Sequence, residues 1–307
     1  MRRWLGLGIV LALAACEPAD PLARDRAACA EAGRASDERV AACTRLIESG
    51  ELDDAARAEM QALRGDAHHS ADAVTPALRD YEAALRLNEN NARALQGRAG
   101  ILLASGQLDA AELLLDRLIA SGEASGDAMR MRGDIALQRA AYTDAIEHYD
   151  DALAADGRLA LAYAHRARAK ERLRDVEGAR TDYTEAIRID GALAEARAGR
   201  CWLNVMHEGD IDQARNDAEA AVAAEPQNVQ AQLCRGVLQL RGEEWQNAQT
   251  SFEAALALEP GNPTALFGRG VARRRGGDRD GREDMNQARD FDRHIGEAFD
   301  DWGVRTY

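Results

Sequence analysis

Residues 160–193, ALAYAHRARAKERLRDVEGARTDYTEAIRIDGAL, carry Arg166-Ala167 in one helix-length run and Ala179, Tyr183 and Ala186 in the next. Spacings of four and three put the last three side chains on one face of a helix, two small and one bulky. The arginine-small pair recurs at Arg64-Gly65, Arg98-Ala99, Arg132-Gly133, Arg200-Cys201, Arg235-Gly236 and Arg269-Gly270. From Arg64 to Arg269 the steps are 34, 34, 34, 34, 35 and 34 residues. A fixed period of this size marks stacked helix-turn-helix units, each burying one face against the next.

The second-helix pattern recurs in phase. Small residues stand at Ala77, Ala111, Ala145, Ala214 and Ala248, and Tyr81, Leu115, Tyr149, Ala218 and Phe252 follow four residues later. Only 5% of the chain is aromatic and six residues are proline, while alanine, arginine, leucine and glutamate abound. That composition favours helix, and the expected class is all-α. The formal charge of −14 comes without a long basic face, so nucleic acid is not an expected partner.

These landmarks resemble the tetratricopeptide repeat (TPR), with a small residue late in helix A, alanine early in helix B, an aromatic four later, alanine three beyond, and a closing proline such as Pro226 or Pro260. The resemblance implies a superhelical solenoid of about seven repeats over 58–296, divided as 58–91, 92–125, 126–159, 160–193, 194–228, 229–262 and 263–296. A helical pair is expected within 25–57, its second helix capped by Ser36, and a capping helix in 291–307 built on Phe291, Ile295, Phe299 and Trp302. Departures are the arginine in place of leucine before the small residue, Glu89 in place of the first proline, the 35-residue step, and Arg282 where alanine belongs. The last reads as a degenerate terminal repeat.

The family resemblance also implies a scaffold that binds proteins in the groove lined by its A helices. By repeat alignment that groove includes Asp66, Gln96, Arg130, Asp134, Arg168, Trp202 and Phe267, with the two aromatics as anchors. Trp202 has a second reading, packing under the longer loop of its own repeat. The clamp that grips a chaperone's C-terminal carboxylate is absent, its positions holding Ala62, Asp66, Gly97, Arg93 and Met131. Asp80, Asp182 and Asp217, each one residue before the bulky position, are expected ion-pair partners for Arg64, Arg166 and Arg200.

At the N-terminus, Arg2 and Arg3 precede the twelve-residue apolar run Trp4 to Ala15, too short to span a bilayer. This is the pattern of a signal peptide over 1–15. Leu13-Ala14-Ala15-Cys16 resembles the bacterial lipobox, which implies cleavage before Cys16, acylation of that cysteine including palmitate, and a short tether over 16–24. The chain is then a periplasm-facing lipoprotein of the cell envelope. Glu17, rather than aspartate, favours the outer over the inner membrane.

Four cysteines remain, Cys29, Cys43, Cys201 and Cys234, an even set that favours disulfides in an exported protein. Closing the short loop between the first two contributes about 3 kcal/mol. The other two fall on successive repeats, and their alternative is a pair of small buried side chains. A thiol oxidoreductase using Cys29 and Cys43 is a rival reading, weakened because redox pairs favour CxxC spacing. A periplasmic binder of peptidoglycan or other small ligands is another. His68-His69, near Asp66 and Asp72, is read in a polar turn without converging ligands, so no metal is expected. No HExxH, P-loop or GxSxG occurs, and neither cofactor nor catalysis is expected. The run Arg273–Arg275 reads as a solvated helix end, with docking of an acidic partner as the alternative.

Overall fold

The computed structural model describes residues 22–306, so Cys16 and the lipobox lie outside the described residues. Among those residues there are seventeen α-helices and no strand. The chain divides into two compact units, one ending at Glu123 and one starting at Ala124.

The first unit holds α1 (Ala23–Ala30), α2 (Ser36–Glu48), α3 (Asp54–Ser70), α4 (Val74–Leu87), α5 (Ala92–Ala104) and α6 (Leu108–Ala120). The second holds α7 (Gly126–Gln138), α8 (Tyr142–Ala155), α9 (Ala160–Arg172), α10 (Val176–Ile189), α11 (Ala194–Met206), α12 (Ile211–Ala224), α13 (Val229–Arg241), α14 (Trp245–Leu258), α15 (Pro263–Arg275), α16 (Gly281–Phe291) and α17 (Ile295–Asp301). From α3 to α16 the helices pair as successive A–B hairpins, the first opening at Asp54, four residues before the expected boundary at 58.

Local chemistry sets the ends. Asp53, Asn91, Ser125, Asn228 and Asn262 cap A helices, each side chain accepting from the backbone N–H three residues on, worth about 1 kcal/mol apiece. Ser36 is not a cap but the first residue of α2, after an uncapped Ala35. The A-to-B turns put Asp72, Gly106, Ala140, Arg174, Glu208, Glu243 and Gly277 in the left-handed region. Each is the eighth residue after a ladder arginine, so the sequence beat continues in the backbone. Five of the seven carry a Cβ there, at a cost of about 1–2 kcal/mol that the hairpin packing must offset.

Tyr81, Tyr149, Tyr183 and Phe252 are buried completely or nearly so. Tyr81 lies between Gly65 of its own A helix and Gly97 of the next. A Cβ at Gly65 would stand 2.7 Å from the ring, and one at Gly97 closer still. Phe252 sits in the same way between Gly236 and Gly268.

In the α11–α12 hairpin the bulky position is Ala218, and the two flanking positions are Cys201 and Cys234. They form a disulfide with Cα–Cα 6.5 Å, fully buried in one cluster with Ala218. The bridge therefore occupies the place that an aromatic ring takes in the neighbouring repeats. A second bridge, Cys29–Cys43 with Cα–Cα 5.0 Å, ties α1 to α2 beneath Leu46 and Leu63.

Two irregularities have physical causes. The 35-residue step is a four-residue turn, 207–210, filled by buried Asn204, which accepts from Arg180 Nη1 and donates to Gln213 at 3.1 Å. Gly209 passes so close to Asn204 that a Cβ would collide with its side chain. The last repeat is not degenerate. Gly281, Met285 and Ala288 restore the small-bulky-small spacing one residue earlier than the frame through Arg282, and all three are buried. At the end of the chain Ile295 and Phe299 are buried, whereas Phe291, expected to help cover the stack, is 61% exposed.

Candidate functional site

The arginine ladder is spent on structure. Arg64, Arg166 and Arg200 each clasp the aspartate of their own B helix, Asp80, Asp182 and Asp217, through paired Nε and Nη2 bonds of 2.7–2.9 Å. Arg269 does the same to Asp284 at 2.8 and 2.6 Å, a partner hidden from sequence by the register shift of α16. Where the B helix lacks that aspartate the pattern changes: Arg235 donates to Ser251 at 3.0 Å, and Arg98 reaches Glu82 of the preceding helix at 3.5 Å. Asp182 is 2% exposed and also takes Lys170 at 2.8 Å. Breaking so buried a cluster strands its partner charges.

One side of the second unit is a groove of about 970 Å³. Its floor comes from A helices: Arg168, Glu171 and Arg172 of α9, Glu195, Gly199, Trp202 and Met206 of α11, Gln230 and Leu233 of α13. Pro263 and Thr264 at the start of α15 and Asp301-Trp302 at the end of α17 close it. Trp202 is half-buried, its Nε1–H donates to the Gln230 carbonyl at 3.0 Å, and its ring meets Trp302 edge to face at 5.1 Å. It faces the groove rather than packing under its own loop.

A polar chain runs from α7 to α11 beside this groove. Asp134 accepts from Arg130 at 2.6 Å and from the Tyr149 hydroxyl at 2.8 Å, and it meets His165 Nδ1 at 2.6 Å. His165 Nε2 lies 3.3 Å from Glu195, which also binds Arg168 at 2.7 Å. Burial works against a charged His165 ring, but its bonds to Asp134 and Glu195 outweigh that and hold its pKa at about 9. Burial likewise opposes a charged Glu195, and His165 and Arg168 together bring it down to about 2. Burial raises the Glu171 carboxyl above its ordinary value, although the Tyr183 hydroxyl donates to it at 2.7 Å. With every member partnered, the network holds three A helices in one geometry.

Of the seven aligned positions, Arg168 and Trp202 line the groove. Arg130 and Asp134 belong to the polar chain beside it. Asp66 accepts from the Tyr81 hydroxyl at 2.7 Å and pairs with Arg93 at 2.9 Å in the first unit, and half-buried Gln96 lies on α5 of that unit. Phe267 is the clear correction: it is fully buried beneath α17, 4.9 Å from Phe299, with Arg289 over its face. Met206, Arg172, Arg174 and Trp302 escaped sequence reasoning because repeat alignment follows helix A and says nothing of what the next turn or the chain end folds onto it. His68 and His69 occupy the last turn of α3 rather than a loop, and no cluster of three metal-ligating side chains occurs among the described residues. Arg273 of the basic run pairs with Asp278 at 2.7 Å and with Asp284 at 3.2 Å, and Arg275 donates to the Arg305 carbonyl at 3.0 Å.

A tetratricopeptide repeat family model matches residues 74–128, 101–160, 206–248 and 235–281. Among solved structures the chain is similar to pilF of Pseudomonas aeruginosa, at 14% identity and TM-score 0.59, over 68% of this chain and 94% of that one. It is also similar to a tetratricopeptide repeat protein from Parabacteroides merdae, at 15% identity and TM-score 0.52, over 80% and 98%. The Cut9–Hcn1 hetero-tetramer of the APC/C aligns at 17% identity and TM-score 0.58, over 85% of this chain and 51% of that one. At such identities the likeness is one of fold. No curated protein matches the chain.

Proposed function

The chain belongs to the tetratricopeptide repeat family, and from that premise we propose that it is a lipid-anchored scaffold of the bacterial cell envelope that holds protein partners in the groove of its second unit. Tetratricopeptide repeat proteins are generally non-catalytic, and we assign this one no reaction of its own. The observation that carries the binding reading is the groove itself, where an accessible Trp202 face and a 42% exposed Met206 sit over a fully partnered polar network. An aromatic held by packing and by a spent N–H loses little freedom when a partner covers it.

The anchor rests on Leu13-Ala14-Ala15-Cys16 behind a short apolar run. No helix among the described residues is long and apolar enough to cross a membrane, and two or more acyl chains on Cys16 would hold firmly where one does not. Glu17 favours the outer membrane. A photo-crosslinking residue placed at Met206 in living cells is expected to capture partners that Trp202→Ala with Arg168→Ala loses. Unchanged capture by that double variant refutes the groove. Cys16→Ala is expected to move the protein from the membrane to the soluble fraction, and persistence with the membrane refutes the anchor.

A further inference from the structure

We propose that the occupant of this groove is an extended acidic segment of a partner protein, its carboxylates on Arg172 and Arg174 and an apolar side chain of the same segment against Trp202 and Met206. The inference rests on the groove being the ligand surface and adds the chemistry of what fills it.

Most arginines beside the groove spend their charge on carboxylates of the same unit. Arg166, Arg200 and Arg269 clasp aspartates, Arg130 holds Asp134, and Arg168 holds Glu195. Arg172, the last residue of α9, and Arg174, in the turn behind it, are exposed on the groove wall, and neither side chain has a hydrogen-bond or ion-pair partner among the described residues. The acids nearby answer them only in part: Glu195 is shared by His165 and Arg168, while Glu171 accepts from Tyr183 and feels the charges of both Arg168 and Arg172 without an ion-pair contact to Arg172. One end of the groove is therefore locally positive, with Arg174 unanswered and Arg172 offset only in part by Glu171, in a chain of net charge −14. A local positive end on an acidic protein selects and orients an acidic ligand over the short range that salt leaves unscreened. The remaining wall is apolar and adaptable. Trp202 has its N–H committed to Gln230 and offers only ring surface, and Met206 is unbranched and 42% exposed. Guanidinium forks are suited to carboxylates.

The test uses the mature chain and fluorescence anisotropy with labelled peptides in which one leucine is flanked by aspartate and glutamate. Counterparts carry lysine for the acids, or serine for the leucine. The acidic, leucine-bearing peptide should bind tightest and weaken as salt rises. Arg172→Glu with Arg174→Glu should weaken it about tenfold or more, with circular dichroism unchanged because both side chains are exposed and neither makes a hydrogen bond. Equal or tighter binding of the lysine peptide, or an undiminished affinity in the charge-reversed variant, overturns the proposal. If the lysine peptide binds and Trp202→Ala abolishes it, the groove stands and the acidic occupant falls. If no peptide binds and Met206 crosslinks capture nothing, both fall.

Discussion

Ala218→Phe should change the sign of its effect according to whether the Cys201–Cys234 bridge is present. In the parent protein the sulfurs occupy the space between α11 and α13 that rings take elsewhere, so a phenyl group there is overpacked and costs about 1–3 kcal/mol. Replacing both cysteines by glycine removes a bridge that closes a loop of 33 residues, worth about 3–5 kcal/mol, and adds roughly 0.3–0.5 kcal/mol for each helical glycine, cysteine being itself a poor helix former. The resulting double variant should be roughly 5 kcal/mol less stable, with an empty slot shaped like the one between Gly236 and Gly268 that holds Phe252. Adding Ala218→Phe to it fills the slot and should return about 1.5–3 kcal/mol, the value of burying such a side chain. Urea unfolding followed by tryptophan fluorescence is the suitable assay, since Trp202, Trp245 and Trp302 all lie in the second unit. If Ala218→Phe destabilises both backgrounds alike, the bridge does not stand in for a ring and the reasoning fails.

The folded pKa of His165 is raised to about 9, above about 6.5 in an unfolded chain, so its contribution is complete below about pH 6.5 and is lost as pH rises through about 9. The stability gap between the parent and His165→Gln should therefore shrink by about 3 kcal/mol between about pH 6 and about pH 10, and a pH-independent gap, or an NMR titration near 6.5, contradicts this. Asp182→Ala strands Arg166 and Lys170 in a nearly closed site and should cost about 3–5 kcal/mol in urea unfolding; a loss below about 1 kcal/mol would show the pair to be as weak as a surface one. Gly268→Ala, a change that helix propensity favours by about 1 kcal/mol, should destabilise by about 1–3 kcal/mol because its methyl enters the Phe252 ring. Unaltered thermal unfolding of that variant would show that the ring can move away.

Much of the fold was legible because period and helical spacing are local quantities. The arginine beat, the alanine and aromatic stripe, and the aspartates preceding Tyr81, Tyr183 and Ala218 follow from side chains three or four residues apart on one helix and sixteen or seventeen apart across a hairpin, so the hairpins and three of the clasped pairs could be written down from the chain alone. The same arithmetic misread the last hairpin, because a turn of different length shifted α16 by one residue and put Gly281, not Arg282, in frame.

The sequence by itself determined an all-α tetratricopeptide repeat chain and the cysteines available for bridges. Tertiary structure alone decided which aligned residues face solvent: it buried Phe267 under α17, brought Trp302 against Trp202, and joined Cys201 to Cys234 in the slot of a missing ring. The reason is the reach of each constraint. Periodicity sets the face a residue occupies on its own helix, whereas the burial of that face depends on elements distant in sequence, here a chain end and a neighbouring repeat, whose approach is governed by the volume they must fill.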